Sequence, residues 1–350
     1  MTAAVTVADL RKSYGHKKGR KSTPDPPPVL AGVSFEAQAG RITTILGESG
    51  CGKTTLLRVV AGLEVPSSGR VYIDDRDITS TAPSKRGVAM VFQNYGLYPA
   101  KTVAKNIEFP MQMAKVPAEE RRARTQAVAQ SLHIDHLLDR MPAQLSGGQR
   151  QRVGICRALV RDPHILLMDE PLSNLDSRLR IEMRTELVAL QRRIGATMLY
   201  VTHDQVEAMS MSDLIVVMRH GKIEQMGSPS EVFARPTTMY VAAFLGNMNL
   251  VDGAAAGLAP ATRETTIGVR PEHFALAAAE SERPGDLVVE GRLRFDELHG
   301  ADRVVHVETP HATWRARLDA AAPLSDTVRL VARRENVHGF DTATGERRAA

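Results

Sequence analysis

The chain has 350 residues, of which 43% are apolar and two are cysteine, and it carries a net charge of +5. That length suits two domains, two cysteines exclude a disulfide framework and fit a reducing cytosol, and no apolar run approaches the ~18–20 residues of a membrane helix. The basic balance permits nucleic-acid binding, but only 4% of residues are aromatic and no RNA- or DNA-reading motif is visible, so the expected partner of the positive surface is an anionic membrane leaflet and not a nucleic acid.

The N-terminal MTAAVTVADLRKSYG has no apolar signal core, so nothing points to export. Val5–Asp9 and Val33–Ala37 read as strands, and the basic, proline-rich HKKGRKSTPDPPP between them (His16–Pro28) reads as an exposed loop. Ile42–Leu46 is a buried-strand run that feeds directly into GESGCGKT (Gly47–Thr54), and Lys53–Gly62 reads as the helix that follows. Asn106–Leu138 is helical by periodicity and charge pattern and predicts a helical subdomain, about residues 100–160, around LSGGQ at Leu145–Gln149. Ile165–Met168, Met198–Val201 and Ile215–Met218 are short apolar runs alternating with helical stretches, the pattern of a parallel sheet covered by helices. Arg219–Lys222 reads as a turn into Ile223–Met226. After Gly246 the character changes. Alternating segments at Leu287–Phe295, Val304–Glu308, Thr313–Leu318 and Val328–Ala332, with turns at His299–Gly300 and Ser325–Asp326, predict a small all-β barrel.

Three stretches carry chemistry. Gly47-x4-Gly52-Lys53-Thr54 matches the phosphate-loop pattern, in which glycines let consecutive backbone N–H groups turn inward around phosphates at a helix N-terminus. Lys53 is placed to reach the β- and γ-phosphates and the Thr54 hydroxyl to ligate Mg2+. Gly47, Glu48, Ser49, Gly50, Cys51, Gly52, Lys53, Thr54 and Thr55 are therefore the candidate nucleotide-binding residues, with Cys51 a small loop residue lacking chemistry of its own. Asp169 and Glu170 follow an apolar strand, Ile165–Met168. By this motif Asp169 holds Mg2+ through water, and Glu170, facing the other way, is the general base or water-orienting residue. Ser146 is a natural N-cap for the helix through Arg150–Val160, which leaves the N–H groups of Gly147 and Gly148 aimed outward as an anion site, with Gln149 beside them.

GESGCGKT, LSGGQ, ILLMDEP (Ile165–Pro171) and THD (Thr202–Asp204), in that order, resemble the nucleotide-binding subunit of ATP-binding cassette (ABC) transporters over roughly the first two-thirds of the chain. The resemblance implies an α/β P-loop NTPase fold over residues 1–246. IGVRPEH (Ile267–His273) and GFDTATG (Gly339–Gly345) resemble the OB-like regulatory domain of importer ATPases, over 247–350. It further implies ATP and Mg2+ as cofactors. Gln93, in MVFQNYGLYP, resembles the glutamine that senses Mg2+ and attacking water, His203 the switch histidine at the γ-phosphate, and Tyr14 the aromatic that stacks on adenine. LSGGQ then binds the γ-phosphate held by the other subunit of a homodimer or paired cassette, with Leu172–Asp176 crossing between the two.

Two transmembrane permease subunits, and indirectly an extracytoplasmic solute-binding protein, are the implied partners at the cytoplasmic face of the cell membrane. VTHDQVEAM (Val201–Met209), LSNLDSRLR (Leu172–Arg180) and FQNYGLYP (Phe92–Pro99) resemble carbohydrate-importer ATPases of the maltose and multiple-sugar type, while polyamine, iron and other small-solute importers share the layout. Two readings of other classes stand beside this one. A P-loop kinase or GTPase needs a substrate lid or guanine-reading motif, and neither is found. A non-transport ABC ATPase usually carries two cassettes or a coiled coil, whereas this chain has one cassette and a barrel-like tail.

Overall fold

The computed structural model describes residues 2–14, 27–254, 256, 264–277 and 282–348, so most of the proline-rich segment at His16–Pro28 lies outside the described residues. Two compact units divide the chain, Met1–Pro229 and Ser230–Ala350.

The first unit begins with β1 (Val5–Lys12), β2 (Leu30–Ala37) and β3 (Ile42–Gly47), then α1 (Lys53–Ala61), β4 (Ser68–Ile73), β5 (Arg76–Asp77) and β6 (Val88–Val91). A helical segment follows, α2 (Val103–Met113), α3 (Ala118–Ser131) and α4 (Gly147–Leu159). The chain then returns through β7 (Ile165–Asp169), α5 (Ser177–Ile194), β8 (Thr197–Thr202), α6 (Gln205–Met211), β9 (Leu214–Arg219) and β10 (Lys222–Gly227).

The main sheet runs β10-β9-β3-β8-β7-β6. Every residue of β3, β7 and β8 is buried, which is why these strands read as continuous apolar runs and not as alternating ones. Alternate residues still serve opposite faces. Leu166, Met168, Met198 and Tyr200 join a core with α2, α4 and α5, whereas Ile165, Leu167, Leu199 and Val201 join a second core with α1. The apolar runs pair in parallel as predicted, and at the edge the predicted turn at Arg219–Lys222 leads into β10, which pairs antiparallel with β9. His220 (φ 46°) and Gly221 (φ 75°) make the two-residue turn, and a left-handed pair of this kind suits a hairpin. A second, antiparallel sheet, β2-β1-β4-β5, packs on the α1 side through Val5, Val7, Phe35 and Val71.

Within the main sheet β3 lies beside β8 and β8 beside β7, all parallel. Their carboxyl ends therefore bring Gly47, Thr202 and Asp169 to one edge, where ligands of open α/β sheets bind. Arg86 fixes the far end of α1. Its buried guanidinium donates to the carbonyls of Val59 and Val60, both at 2.9 Å, and to those of Thr79 and Thr81. Carbonyls in the last turn of a helix lack the usual intrahelical N–H partner, and the Val59 carbonyl also accepts from the capping Gly62 N–H at 3.0 Å.

The second unit contains α7 (Pro229–Ala234), α8 (Met239–Phe244), β11 (Asn249–Asp252), β12 (Thr265–Val269), β13 (Phe274–Leu276), β14 (Leu287–His299), β15 (Asp302–Glu308), β16 (Thr313–Asp319), β17 (Thr327–Ala332) and β18 (His338–Asp341). Two antiparallel sheets, β11-β12-β18 and β13-β17-β14-β15-β16, enclose one core around Trp314, Val305 and Leu330, an all-β arrangement of the OB-like kind. The division at Pro229 falls ahead of Gly246, where the composition changes, because α7 and α8 are tied to the strands. Arg270, fully buried, donates to the carbonyls of Phe233 and Leu245, and its guanidinium lies 3.5 Å from the Phe233 ring centroid. Burial pulls that guanidinium down to about 10.

Candidate functional site

The loop between β3 and α1 is shaped for an anion. Gly50 (φ 84°) faces open space, and Gly52 (φ 108°) leaves no room for a side chain because a Cβ there would sit 2.6 Å from the Val29 carbonyl oxygen. Only glycine adopts such conformations at no steric cost. The loop borders a cleft of about 380 Å3 whose lining includes Tyr14, Gly50, Lys53, Thr54, Gln93 and Glu170. Ser49, Gly52 and Thr55 line it as well. Tyr14 is 46% exposed at its rim, with the Lys12 ammonium 4.9 Å from the ring centroid.

Lys53, 4% exposed, donates to the carbonyls of Gly47 (2.8 Å) and Glu48 (2.9 Å) and lies 3.9 Å from Glu170 Oε1. The ammonium is thus held at the loop by neutral acceptors and one distant carboxylate. Gly47 and Glu48 contribute through these backbone oxygens. Cys51 is buried, and burial pushes its thiol up, which keeps it protonated and inert.

Asp169 and Glu170 diverge as their adjacent positions require. Asp169 Oδ1 accepts from the Thr54 hydroxyl at 2.9 Å. Burial raises the Asp169 carboxyl, and that hydrogen bond opposes the rise. Glu170 has a left-handed backbone, φ 43°, rare for a non-glycine residue. Its N–H is held by the Val201 carbonyl at 3.0 Å and its own carbonyl by the Ser173 hydroxyl at 2.9 Å. The twist turns its carboxylate toward the cleft. There Oε2 lies 3.0 Å from His203 Nδ1 and 3.5 Å from Gln93 Nε2. Gln93 also donates to Ser173 Oγ at 3.4 Å, and its carbonyl accepts from Asn174 at 3.0 Å. Lys53, Gln93, Glu170 and His203, scattered over more than half of the first unit, thus meet around one carboxylate.

The residues present fit a nucleotide with a divalent cation. Among the described residues no group of three His, Cys, Asp or Glu side chains forms a metal cage. The candidate ligands are one carboxylate (Asp169), one hydroxyl (Thr54) and an amide (Gln93). Such a set suits a hard cation that takes its remaining oxygens from phosphate and water.

Ser146, Gly147, Gly148 and Gln149 stand apart, and none of them lines the cleft. Ser146 caps α4 as the sequence predicts. Its Oγ accepts from the Gln149 N–H at 3.3 Å and the Gln149 side chain accepts from the Ser146 N–H at 2.9 Å. Gln149 therefore serves the cap. Gly148 packs against Leu179, where a Cβ would fall 2.7 Å from a methyl group.

Sequence reasoning missed two groups. Arg157 on α4 donates to the carbonyls of Gly96 (2.5 Å) and Tyr95 (3.0 Å), so α4 grips the loop that carries Gln93. Around His203, Thr202, Asp204 and Glu207 form hydrogen bonds, of which the helix-start spacing of Asp204 and Glu207 could have flagged only the Asp204 cap on the Glu207 N–H.

A sequence profile of the family described as ABC transporter matches residues 30–173. Over nearly its whole length the chain is similar to proteins named sn-glycerol-3-phosphate import ATP-binding protein UgpC. It is 42% identical to one from Rhizobium etli, over 99% of this chain and 98% of that one. It is 41% identical to another from Bordetella avium, over 99% of each. Among solved structures, the dimeric post-hydrolysis ATP-binding cassette MJ0796 bound to ADP and Pi superposes with a TM-score of 0.57. That chain is 30% identical, and the match covers 64% of this chain and 98% of that one.

Proposed function

The chain belongs to the ABC transporter family, and on that premise we propose that it is the ATP-hydrolysing subunit of an importer for sn-glycerol-3-phosphate or a close carbohydrate relative. The observation that carries the reading is the full-length likeness to import ATP-binding proteins, joined to a cleft in which one carboxylate meets Lys53, Gln93 and His203. The maltose-type solutes suggested by the motifs are the second choice, because the relatives' names point to the phosphorylated polyol.

The geometry supports the following division of labour. The N–H groups of Gly50–Thr54 and the Lys53 ammonium bind the phosphates of ATP, and Tyr14 carries the adenine on its face. Mg2+ held by Thr54 and Asp169, with Gln93 nearby, would neutralise phosphate charge. Glu170 takes the proton of the attacking water at Oε2, and His203, bonded to that same oxygen, fixes the carboxylate's direction. Ser146, Gly147 and Gly148 lie away from this cleft, which is why we assign them to the nucleotide of a second, paired cassette. The dimeric MJ0796 cassette supports that pairing.

We assign residues 1–246 to ATP binding and 247–350 to regulation. We place the subunit at the cytoplasmic face of the membrane, bound to two permease subunits that an extracytoplasmic binding protein supplies with solute. Among the described residues no helix is long and apolar enough to cross a membrane. A groove of about 400 Å3, lined by Leu63, Pro83, Met90, Phe92, Tyr98 and Phe109, is the docking place for a permease helix. Leu63 and Tyr98 stand 48% and 40% exposed in it, and such apolar and aromatic anchors dominate interfaces.

Reconstitution with the permease subunits in liposomes tests the proposal, with ATP hydrolysis and uptake of labelled sn-glycerol-3-phosphate, maltose and spermidine measured together. Uptake of maltose alone would reassign the solute. Absence of ATP hydrolysis would remove the activity.

A further inference from the structure

We infer that Thr202, Glu207 and Tyr200 form a buried polar brace that positions His203 for hydrolysis. The inference rests on the ATPase reading above and adds the residues that hold its histidine.

The His203 imidazole is 52% exposed and touches Glu170. Its placement therefore depends on the backbone on either side of it. On one side is Thr202, the last residue of β8, which is paired in the sheet with Leu46. On the other is Asp204, whose N–H donates to the Thr202 hydroxyl at 2.9 Å. That hydroxyl in turn donates to Glu207 Oε2 at 2.7 Å, and the Tyr200 hydroxyl donates to the same oxygen at 2.9 Å. Hydrogen bonds thus run unbroken from a tyrosine inside the sheet, through a carboxylate on α6, to the amide immediately after His203.

The brace reaches a second loop. Asp204 Oδ1 caps α6 by accepting from Val206 N–H (2.7 Å) and Glu207 N–H (3.2 Å), while its Oδ2 lies 3.4 Å from Arg180 Nη1. Arg180 Nη2 donates to the Leu175 carbonyl at 3.1 Å. The histidine loop and the Leu172–Asp176 segment are thereby held in one register. Both touch Glu170, the imidazole at the carboxylate and Ser173 at the backbone carbonyl, so a shift in either changes how the imidazole meets the carboxylate.

Packing alone does not call for this chemistry. Glu207 is 3% exposed and Tyr200 fully buried. Burial raises the Glu207 carboxyl, and the Thr202 and Tyr200 hydrogen bonds only partly offset that rise. A leucine or methionine would fill the same space without desolvating a carboxylate. Buried polar groups that are fully paired specify one arrangement of their neighbours. Here the specified neighbour is the loop carrying His203.

The two oxygen atoms at issue allow a clean test in the full-length protein. Thr202→Val keeps the shape and deletes both bonds of the hydroxyl, whereas Thr202→Ser keeps both. Glu207→Met deletes the acceptor, whereas Glu207→Gln keeps an oxygen for Thr202 and Tyr200. Steady-state ATPase and thermal melting are measured on all four beside wild type. A histidine displaced by a fraction of an ångström predicts that Thr202→Val and Glu207→Met lose about tenfold or more in kcat, with KM for ATP within about twofold. Thr202→Ser and Glu207→Gln should stay within about threefold of wild type on both counts. The brace is refuted if Thr202→Val turns over like wild type, if serine fails to rescue it, or if kcat, KM and melting temperature fall together. Wild-type turnover in the same assay is the separate check on the ATPase reading. An inert wild type overturns both, whereas active variants overturn the brace alone.

Discussion

Replacing Glu170 with glutamine removes one negative charge and preserves the shape of the site. The wild-type carboxylate lies 3.9 Å from the Lys53 ammonium, 3.0 Å from His203 Nδ1 and 3.5 Å from Gln93 Nε2. An amide oxygen can still face Lys53, so the loop conformation, fixed by the Val201 and Ser173 hydrogen bonds to the Glu170 backbone, survives. Two electrostatic consequences follow with opposite signs. A full charge pair at this distance attracts by about 4 kcal/mol at an effective dielectric near 20, before desolvation is subtracted. Losing it frees Lys53 for phosphate, and nucleotide affinity holds or rises. Losing the base removes a contribution of about 10²–10⁴ in rate, roughly 3–5 kcal/mol of barrier. Glu170→Gln should therefore lose at least about 100-fold in kcat while retaining ATP, and should accumulate as an ATP-bound dimer. Phosphate release at saturating ATP, equilibrium nucleotide binding and light scattering read the three quantities. A kcat within about tenfold of wild type would remove Glu170 as the base, given the usual size of that contribution. A loss of ATP affinity would make it a binding residue instead.

Lys53→Ala should lose ATP affinity, and mixing it with Ser146→Arg should restore ATP-dependent association through one intact composite site. Failure of the mixture to associate with saturating ATP counts against sharing of Ser146–Gly148 across a dimer. Leu97→Ala with Tyr98→Ala should abolish uptake and spare soluble ATPase if the groove beside them receives a permease helix, and equal loss of both would mean that the loop only holds the fold together. Burial holds the Glu207 carboxyl above its ordinary value of 4.5, so its contribution to stability is present at acid pH and lost as pH rises through the raised value. The melting temperature of Glu207→Gln minus that of wild type should accordingly grow between about pH 4 and pH 7, and a difference that is flat or shrinks would contradict the assignment.

The parts of this molecule legible in its sequence are those whose physics is local. The β3 strand, the glycine loop and α1 adjoin in the chain, so the apolar run, the left-handed glycines and the lysine announce one another. The Ser146 cap was legible for the same reason, since both of its hydrogen bonds span three residues. Parallel strands buried on both faces read as apolar runs, which made β7, β8 and β9 visible. The β10 edge was legible too, because its turn at Arg219–Lys222 is local and the structure places the hairpin there. The division at Pro229 was not, because α7 and α8 depend on Arg270, a partner that no local pattern names.

Arginines show this most sharply. Arg86 and Arg157 donate only to backbone carbonyls, and every residue type carries one, so nothing in the sequence marks the acceptor. The same limit applied within the site. Motifs named Lys53, Gln93, Glu170 and His203 because each carries distinctive chemistry, but the atoms that hold them in place are a threonine hydroxyl, a buried carboxylate and main-chain oxygens. Motif reading is therefore strongest for groups that touch the nucleotide and weakest for those that aim them. A glutamate one turn beyond the histidine looks like an ordinary helix-start residue until the fold shows its carboxylate turned inward onto Tyr200 and Thr202.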